Sequence, residues 1–231
     1  MRQEDKAWVD FCEQFADVYD ELNYNKSLQS RAMRAGHKFL EKAFDKTKNF
    51  ERIIEIGAGT GEHVPFVRHN FQEYVLSDMD IKTLNVAKNK LAGLHDGKLK
   101  FEIQTGEKLD YPDNSFDRLI ATHVLEHIYQ PHMALKEWQR IIKNGGTISI
   151  LIPADPGFAW RFGRNFGPRK NATAKGIPYD YIMARQHVNP CNNLIAFLRH
   201  YFPVSKEGWW PFRIASMDMN LFFIFHGTVQ K

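Results

Sequence analysis

Cysteine is scarce in this sequence, with two residues, Cys12 and Cys191, among 231. Neither belongs to a CxxC pair or to a cysteine–histidine cluster with metal-ligand spacing, so no disulfide framework or zinc module is expected and no metal site is assigned. Long apolar runs are missing as well. The longest, Leu221 to Phe225, falls far short of the roughly 20 residues that a membrane-crossing helix needs. The opening residues Met-Arg-Gln-Glu-Asp-Lys are polar and lack the apolar core of an export signal. Repeats, low-complexity tracts and an excess of proline or glycine are also absent. These absences lead to the expectation of a cytoplasmic protein, monomer or homodimer, with little disorder beyond its termini.

An excess of one charge sign is weak too. The net charge of +4 does not demand a polyanionic partner, which argues against nucleic acid. The distribution is more informative. Arg161, Arg164, Arg169, Lys170, Lys175 and Arg185 face a single acid, Asp180, over that stretch. Taken as a charge run alone, such a block is best read as a solvated loop; the sharper alternative is a surface facing an anion.

The sequence does contain enough apolar residues for one core: 43% hydrophobic against 25% charged. It reads as a single α/β domain in four parts. Residues 1–50 are two helices, the first carrying a stripe of Trp8, Phe11, Phe15 and Tyr19 and the second running from about Leu28 to Phe44. Residues 51–152 alternate strands and helices. Strands are expected at 52–56, 74–77, 99–103, 116–121 and 147–152. Helices are expected at 81–91, with Asp80 as N-cap, and at 133–142, opened by Pro131 and closed by Asn144-Gly145-Gly146. Such alternation implies right-handed crossovers and a parallel sheet. Residues 153–203 break the alternation and read as an insertion over the sheet's binding edge. One helix signal stands out there, Asn189-Pro190 followed by Leu194, Ile195, Phe197 and Leu198. Residues 204–231 end in strand-like segments near 209–214 and 221–229.

Glu55-Ile56-Gly57-Ala58-Gly59-Thr60-Gly61 follows a buried strand and precedes a helix. Three alternate glycines allow a tight turn and close backbone approach to a ligand. Asp78 ends the next strand, 19 residues after Gly59, where a carboxylate can accept from both hydroxyls of a ribose. Glu62 stands where a dinucleotide fingerprint has its third glycine, and no basic residue in the loop grips a pyrophosphate. A ligand with a ribose but no pyrophosphate fits, and S-adenosylmethionine is one.

The sequence here resembles the class I, Rossmann-like S-adenosylmethionine-dependent methyltransferases with a type-11-like domain. The resemblance rests on Glu55 to Gly61, on Asp78, on Tyr111-Pro-Asp-Asn-Ser-Phe-Asp117, on Thr122-His-Val-Leu-Glu-His127 and on Arg140-Ile-Ile-Lys-Asn-Gly-Gly-Thr147, in order over about residues 50–153. It implies a three-layer α/β sandwich around a seven-stranded, mostly parallel sheet whose last strand is antiparallel. It also implies that S-adenosyl-L-methionine is the cofactor and S-adenosyl-L-homocysteine the product. Glu55 and the backbone of Gly57, Ala58, Gly59, Thr60 and Gly61 would hold the methionine end, Asp78 the ribose and Met79 the adenine face. Gly106 and Glu107, with Thr105 as the alternative reader, would meet the adenine edge. Thr122 and His123 would flank the methionine moiety.

Methyl transfer from a sulfonium needs a placed nucleophile and excluded water, and a hydroxyl acceptor also benefits from a base. His187 is the first choice for that base, with His123 and Tyr179 as further catalytic candidates. Arg161, Arg164, Arg185, His127 and Tyr181 are candidate acceptor contacts. The expected acceptor is a small molecule, a glycan or a lipid head group, methylated at oxygen or nitrogen. Phospholipid head-group N-methylation is the nearest rival, supported by the amphipathic first helix and compatible with peripheral membrane contact. A non-catalytic donor-binding interaction protein is the alternative of another class.

Overall fold

Ile53, Ile54 and Ile56 are buried in β1 (Asn49–Ile56), an inner strand of a seven-stranded sheet. The computed structural model describes residues 5, 6, 8, 9, 11, 28–95 and 97–231. The remaining strands are β2 (Asn70–Asp78), β3 (Leu99–Ile103), β4 (Phe116–Thr122), β5 (Ile142–Pro153), β6 (Ser205–Trp210) and β7 (Phe222–Thr228), in the order β3-β2-β1-β4-β5-β7-β6. The pairs among β1 to β5 are parallel. β7 runs antiparallel to both β5 and β6. The inner strands read as nearly continuous Ile/Leu/Val runs because helices cover both of their faces.

α1 (Leu28–Leu40) and α2 (Ile81–Lys90) lie on one face, where Met33, Leu40, Leu84 and Ala87 join the strands in one core cluster. α3 (Pro131–Ile141) and α7 (Cys191–Tyr201) lie on the other, around the fully buried Trp138. The expected caps are present: the Asp80 side chain accepts from the Lys82 amide, and Pro131 opens α3. Three further helices, α4 (Phe158–Phe166), α5 (Pro168–Ala174) and α6 (Tyr179–Gln186), fill the region expected to be mostly irregular. α1 stops at Leu40 rather than Phe44, and its chain tightens into a 3₁₀ turn at Glu41–Ala43. β5 starts at Ile142, not Thr147, because Asn144-Gly145-Gly146 forms an irregularity within the strand. Residues 8, 9 and 11 are helical, whereas Phe15 and Tyr19 lie outside the described residues. Among the described residues no helix is long and apolar enough to cross a membrane.

Beneath α1 the core is polar. Glu41 and Arg118 are both fully buried and form a two-pronged ion pair, Nη2 to Oε1 at 2.6 Å and Nη1 to Oε2 at 3.1 Å. His63 Nε2 lies 3.0 Å from Glu41 Oε1. Arg118 Nε donates to Ser149 Oγ at 3.1 Å, and Ser149 Oγ is 3.1 Å from His226 Nδ1. His69 Nε2 accepts from Arg118. Burial, reinforced by the Arg118 charge, pushes His69 and His226 down to about 4. Both are therefore neutral in the folded chain and charge in the unfolded one below about pH 6.5. Unfolding takes up protons in that window, so their contribution is complete above pH 6.5 and is lost as pH falls towards 4. Each site changes stability by about 1.4 kcal/mol per pH unit there. The melting temperature at pH 5 is expected to lie roughly 10 °C below that at pH 7.5; equal melting temperatures would show that these imidazoles are not held neutral.

Candidate functional site

The parallel strands β1, β2 and β4 all end at one edge of the sheet, where β1 runs into the glycine turn; a 3₁₀ turn at Val64–Phe66 follows in place of the expected helix. Gly57, Gly59 and Gly61 have φ of 63°, 54° and 77°. A Cβ at Gly57 would lie 2.6 Å from Val124 Cγ2, and one at Gly61 would lie 2.6 Å from Leu91 Cδ1. Glycine is thus required by both conformation and space. Gly57→Ala is expected to lower the melting temperature by several degrees and to weaken S-adenosylhomocysteine binding at least tenfold in calorimetry. Unchanged binding would separate this turn from the cofactor.

Asp78 fastens the turn. Its Oδ2 accepts the Gly59 amide at 2.9 Å, and its Oδ1 accepts the Asp80 amide at 3.0 Å. Burial raises its carboxyl pKa, and the two amide bonds oppose that shift. Met79, next in the chain, is 77% exposed, so a large apolar side chain stands beside the carboxylate where an adenine face needs cover. Across the edge, the Gly106 carbonyl is held by Trp138 Nε1 at 2.7 Å, which fixes the turn after β3. Thr105 Oγ1 donates to the Lys108 carbonyl within that turn, and Glu107 is exposed. Ala58 and Thr60 are buried in the glycine turn, and Thr122 is buried at the end of β4. Glu55 is buried at the end of β1, its Oε2 accepting from the Tyr74 hydroxyl at 2.7 Å.

His123 follows β4 with φ 58°, a conformation disfavoured for a non-glycine residue, and its amide donates to the Leu151 carbonyl. Its ring lies between His37 and Phe222, with Nδ1 3.6 Å from Glu126 Oε1 and a buried Nε2 without a hydrogen-bond partner. Glu126 is 2% exposed. Burial alone would raise its carboxyl pKa; His123, His127 and His187 around it bring it below the ordinary value. His187 is carried to this edge by the end of α6, its Nδ1 2.8 Å from Asp155 Oδ2. His127 and His187 meet edge to face, ring centres 5.2 Å apart.

The structure divides the remaining candidates. Arg164 reaches Asp155 at 3.2 Å and Arg169 pairs with Asp180, so much of the basic block is neutralised within the insertion. Arg161 is exposed. Arg185 and Tyr181 lie against residues at the start of the first helix. The Arg185 guanidinium lies 4.0 Å from the Trp8 ring centre, and both side chains contact Asp5. Burial pushes the Tyr179 phenol up to about 12, so it stays protonated at neutral pH. Asp155 and Glu126 were missed in the sequence, because neither carboxylate gains meaning until α6 brings His187 beside them. A shallow groove between Lys48–Glu51 and Lys143–Thr147 lies at the opposite end of the strands and has none of this chemistry.

Glycine turn, the acid that fastens it and strand order together define a Rossmann-like class I methyltransferase fold. Residues 54–150 match the methyltransferase domain family. The chain is 28% identical over 153 residues to the ubiquinone/menaquinone biosynthesis C-methyltransferase UbiE of Hahella chejuensis, covering 61% of this chain and 60% of that one. It is 31% identical over 106 residues to a demethylmenaquinone methyltransferase of Clavibacter sepedonicus, covering 46% and 42%. The chain thus spans about half the length of the curated relatives it matches. A solved S-adenosylmethionine-dependent methyltransferase of Thermotoga maritima superposes with a TM-score of 0.65 at 20% identity, covering 96% of this chain and 100% of that one. At that identity the likeness concerns the fold.

Proposed function

We propose that the protein is an enzyme that transfers the methyl group of S-adenosylmethionine to an oxygen or nitrogen of a small-molecule acceptor held under α4 to α7. The observation that carries this reading is the Gly59–Asp78 bond at the same strand edge as His123, Glu126, His187 and Asp155. The acceptor's lone pair forms the new bond to the methyl carbon. The sulfur–methyl bond breaks with its electron pair left on sulfur, and the acceptor's proton is released. The sulfonium becomes the neutral thioether of S-adenosylhomocysteine, so no acid is needed for departure. The protein's part is to place the nucleophile in line and to exclude water.

The relatives' names favour a second reading, methylation at the carbon of a quinone-type ring. The same edge would serve it, and mass spectrometry of the product tells the two apart. A bilayer head group is less well supported, because Phe11 is buried and Trp8 packs on Arg185, so the first helix turns part of its apolar stripe inward. A glycan remains within the same class of small acceptors.

The test is product formation. Incubation with labelled donor and a panel of phenolic, sugar and amine acceptors is expected to yield methylated product. His187→Ala should lower kcat at least 100-fold while the donor's Kd stays within a factor of two. Tight donor binding without turnover on any acceptor would favour the non-catalytic alternative.

A further inference from the structure

Glu126, His127 and His187 present three ligand atoms that all lie within 4.8 Å of one another. We infer that these residues form a binding site for one divalent transition-metal ion at the acceptor side of the strand edge, where the ion would hold an oxygen of the acceptor.

Three independent observations support the assignment. The first is tautomer control. His127 Nδ1 lies 2.9 Å from the Gln186 carbonyl, and His187 Nδ1 lies 2.8 Å from Asp155 Oδ2. Both acceptors require the proton on Nδ1, so both Nε2 lone pairs are left for a ligand. Metal-ligating histidines characteristically donate their other nitrogen in this way, to a carboxylate or a backbone carbonyl. The second is the carboxylate. Glu126 is 2% exposed, its Oε2 has no hydrogen-bond partner among the described residues, and its Oε1 is 3.9 Å from His127 Nε2. A buried carboxylate oxygen without a partner is costly, and a cation offsets that cost. The third is the scaffold. The Val188 and Asn189 amides both donate to the Glu126 carbonyl, and the Asn189 side chain donates to the carbonyls of Leu125 and Ile128. The segment carrying His187 is therefore laced to the turn carrying Glu126 and His127. Closing on an ion at about 2.1 Å from each ligand would bring the ligand atoms to about 3 Å apart, a short inward movement of side chains.

Two imidazoles and one carboxylate suit Mn²⁺, Fe²⁺, Co²⁺ or Zn²⁺ better than Ca²⁺ or Mg²⁺, which prefer all-oxygen sets. His127 is 40% exposed, so one side of the site stays open to an exogenous ligand. The consequence for chemistry rests on the proposed methyl transfer. An acceptor hydroxyl bound to the ion loses its proton to solvent more readily, and its oxygen attacks the methyl carbon as described above. An acceptor with two neighbouring oxygens would bind best, by chelation.

The test uses the full, untagged chain after EDTA treatment, titrated calorimetrically with Zn²⁺ and with Mn²⁺, and separately with S-adenosylhomocysteine. One ion per chain is expected. Glu126→Gln and His187→Ala should weaken ion binding at least 100-fold, and Asp155→Asn about tenfold, with melting transitions confirming that each variant folds. Absence of ion binding by the unsubstituted chain, or equal affinity in Glu126→Gln and His187→Ala, would overturn the site. Ion binding without S-adenosylhomocysteine binding would leave the site standing and remove the methyltransferase reading; the reverse result would remove the site alone.

Discussion

Asp78→Ala is expected to weaken binding of both S-adenosylmethionine and S-adenosylhomocysteine by at least 100-fold. Two effects combine. The substitution removes the proposed acceptor for both ribose hydroxyls, and hydrogen bonds to a charged group contribute about 1.5–3 kcal/mol each. It also releases the Gly59 amide, now bonded to Asp78 Oδ2 at 2.9 Å, so the glycine turn loses the contact that fixes its shape. Asp78→Asn separates the two. An amide oxygen can still accept from Gly59, although the amide NH2 cannot accept from Asp80, so this variant should lose less melting temperature than Asp78→Ala yet still lose more than tenfold in affinity. Calorimetric titration measures both, and a Kd within threefold of the unsubstituted value for Asp78→Ala would mean that no ribose sits at this carboxylate.

Arg118→Met should cause the largest loss of stability. Glu41 and Arg118 are both fully buried, and removing the cation strands a carboxylate among His63, His69 and the α1 end. Breaking a buried pair from one side costs about 3–5 kcal/mol. At roughly 2–4 °C per kcal/mol for a domain of this size, the melting temperature falls by about 10 °C. Glu41→Gln combined with Arg118→Met should recover part of that loss, since no unpaired charge remains. A single variant that melts within 2 °C of the parent would show that the pair is not the anchor of this face.

The sheet was largely legible in the sequence. β1 to β4 are apolar runs bounded by turn residues, and Asp80 and Pro131 mark helix starts by mechanisms that act within one turn. The donor edge was legible for the same local reason: three glycines, a strand and an acid are neighbours in sequence. Less local features were hidden. Gly157, Gly163, Gly167, Pro168, Gly176 and Pro178 punctuate the stretch that folds into α4 to α6, so it reads as loop although packing makes it helical. Arg118 occupies one position in a β-strand, and nothing near it announces a partner 77 residues away. The contacts of Arg185 and Tyr181 with Asp5 and Trp8 join positions more than 170 residues apart, and no local pattern announces them. The expectation of no metal site rested on spacing; Glu126, His127 and His187 meet only because α6 returns to β4's edge.

The buried polar core also imposes an order on the birth of the molecule. Glu41 and Arg118 leave the ribosome well before His226, the partner of Ser149 on β7. Gly36 of α1 likewise lies against Phe222 of the same late strand, with a Cβ there only 3.1 Å from its ring. Until β7 is synthesised, α1 has no complete surface to close on, and a charged pair destined for the interior is left accessible to water. Nascent chains stalled before residue 222 are thus candidates for holdase capture, and β7 acts as the latch for α1.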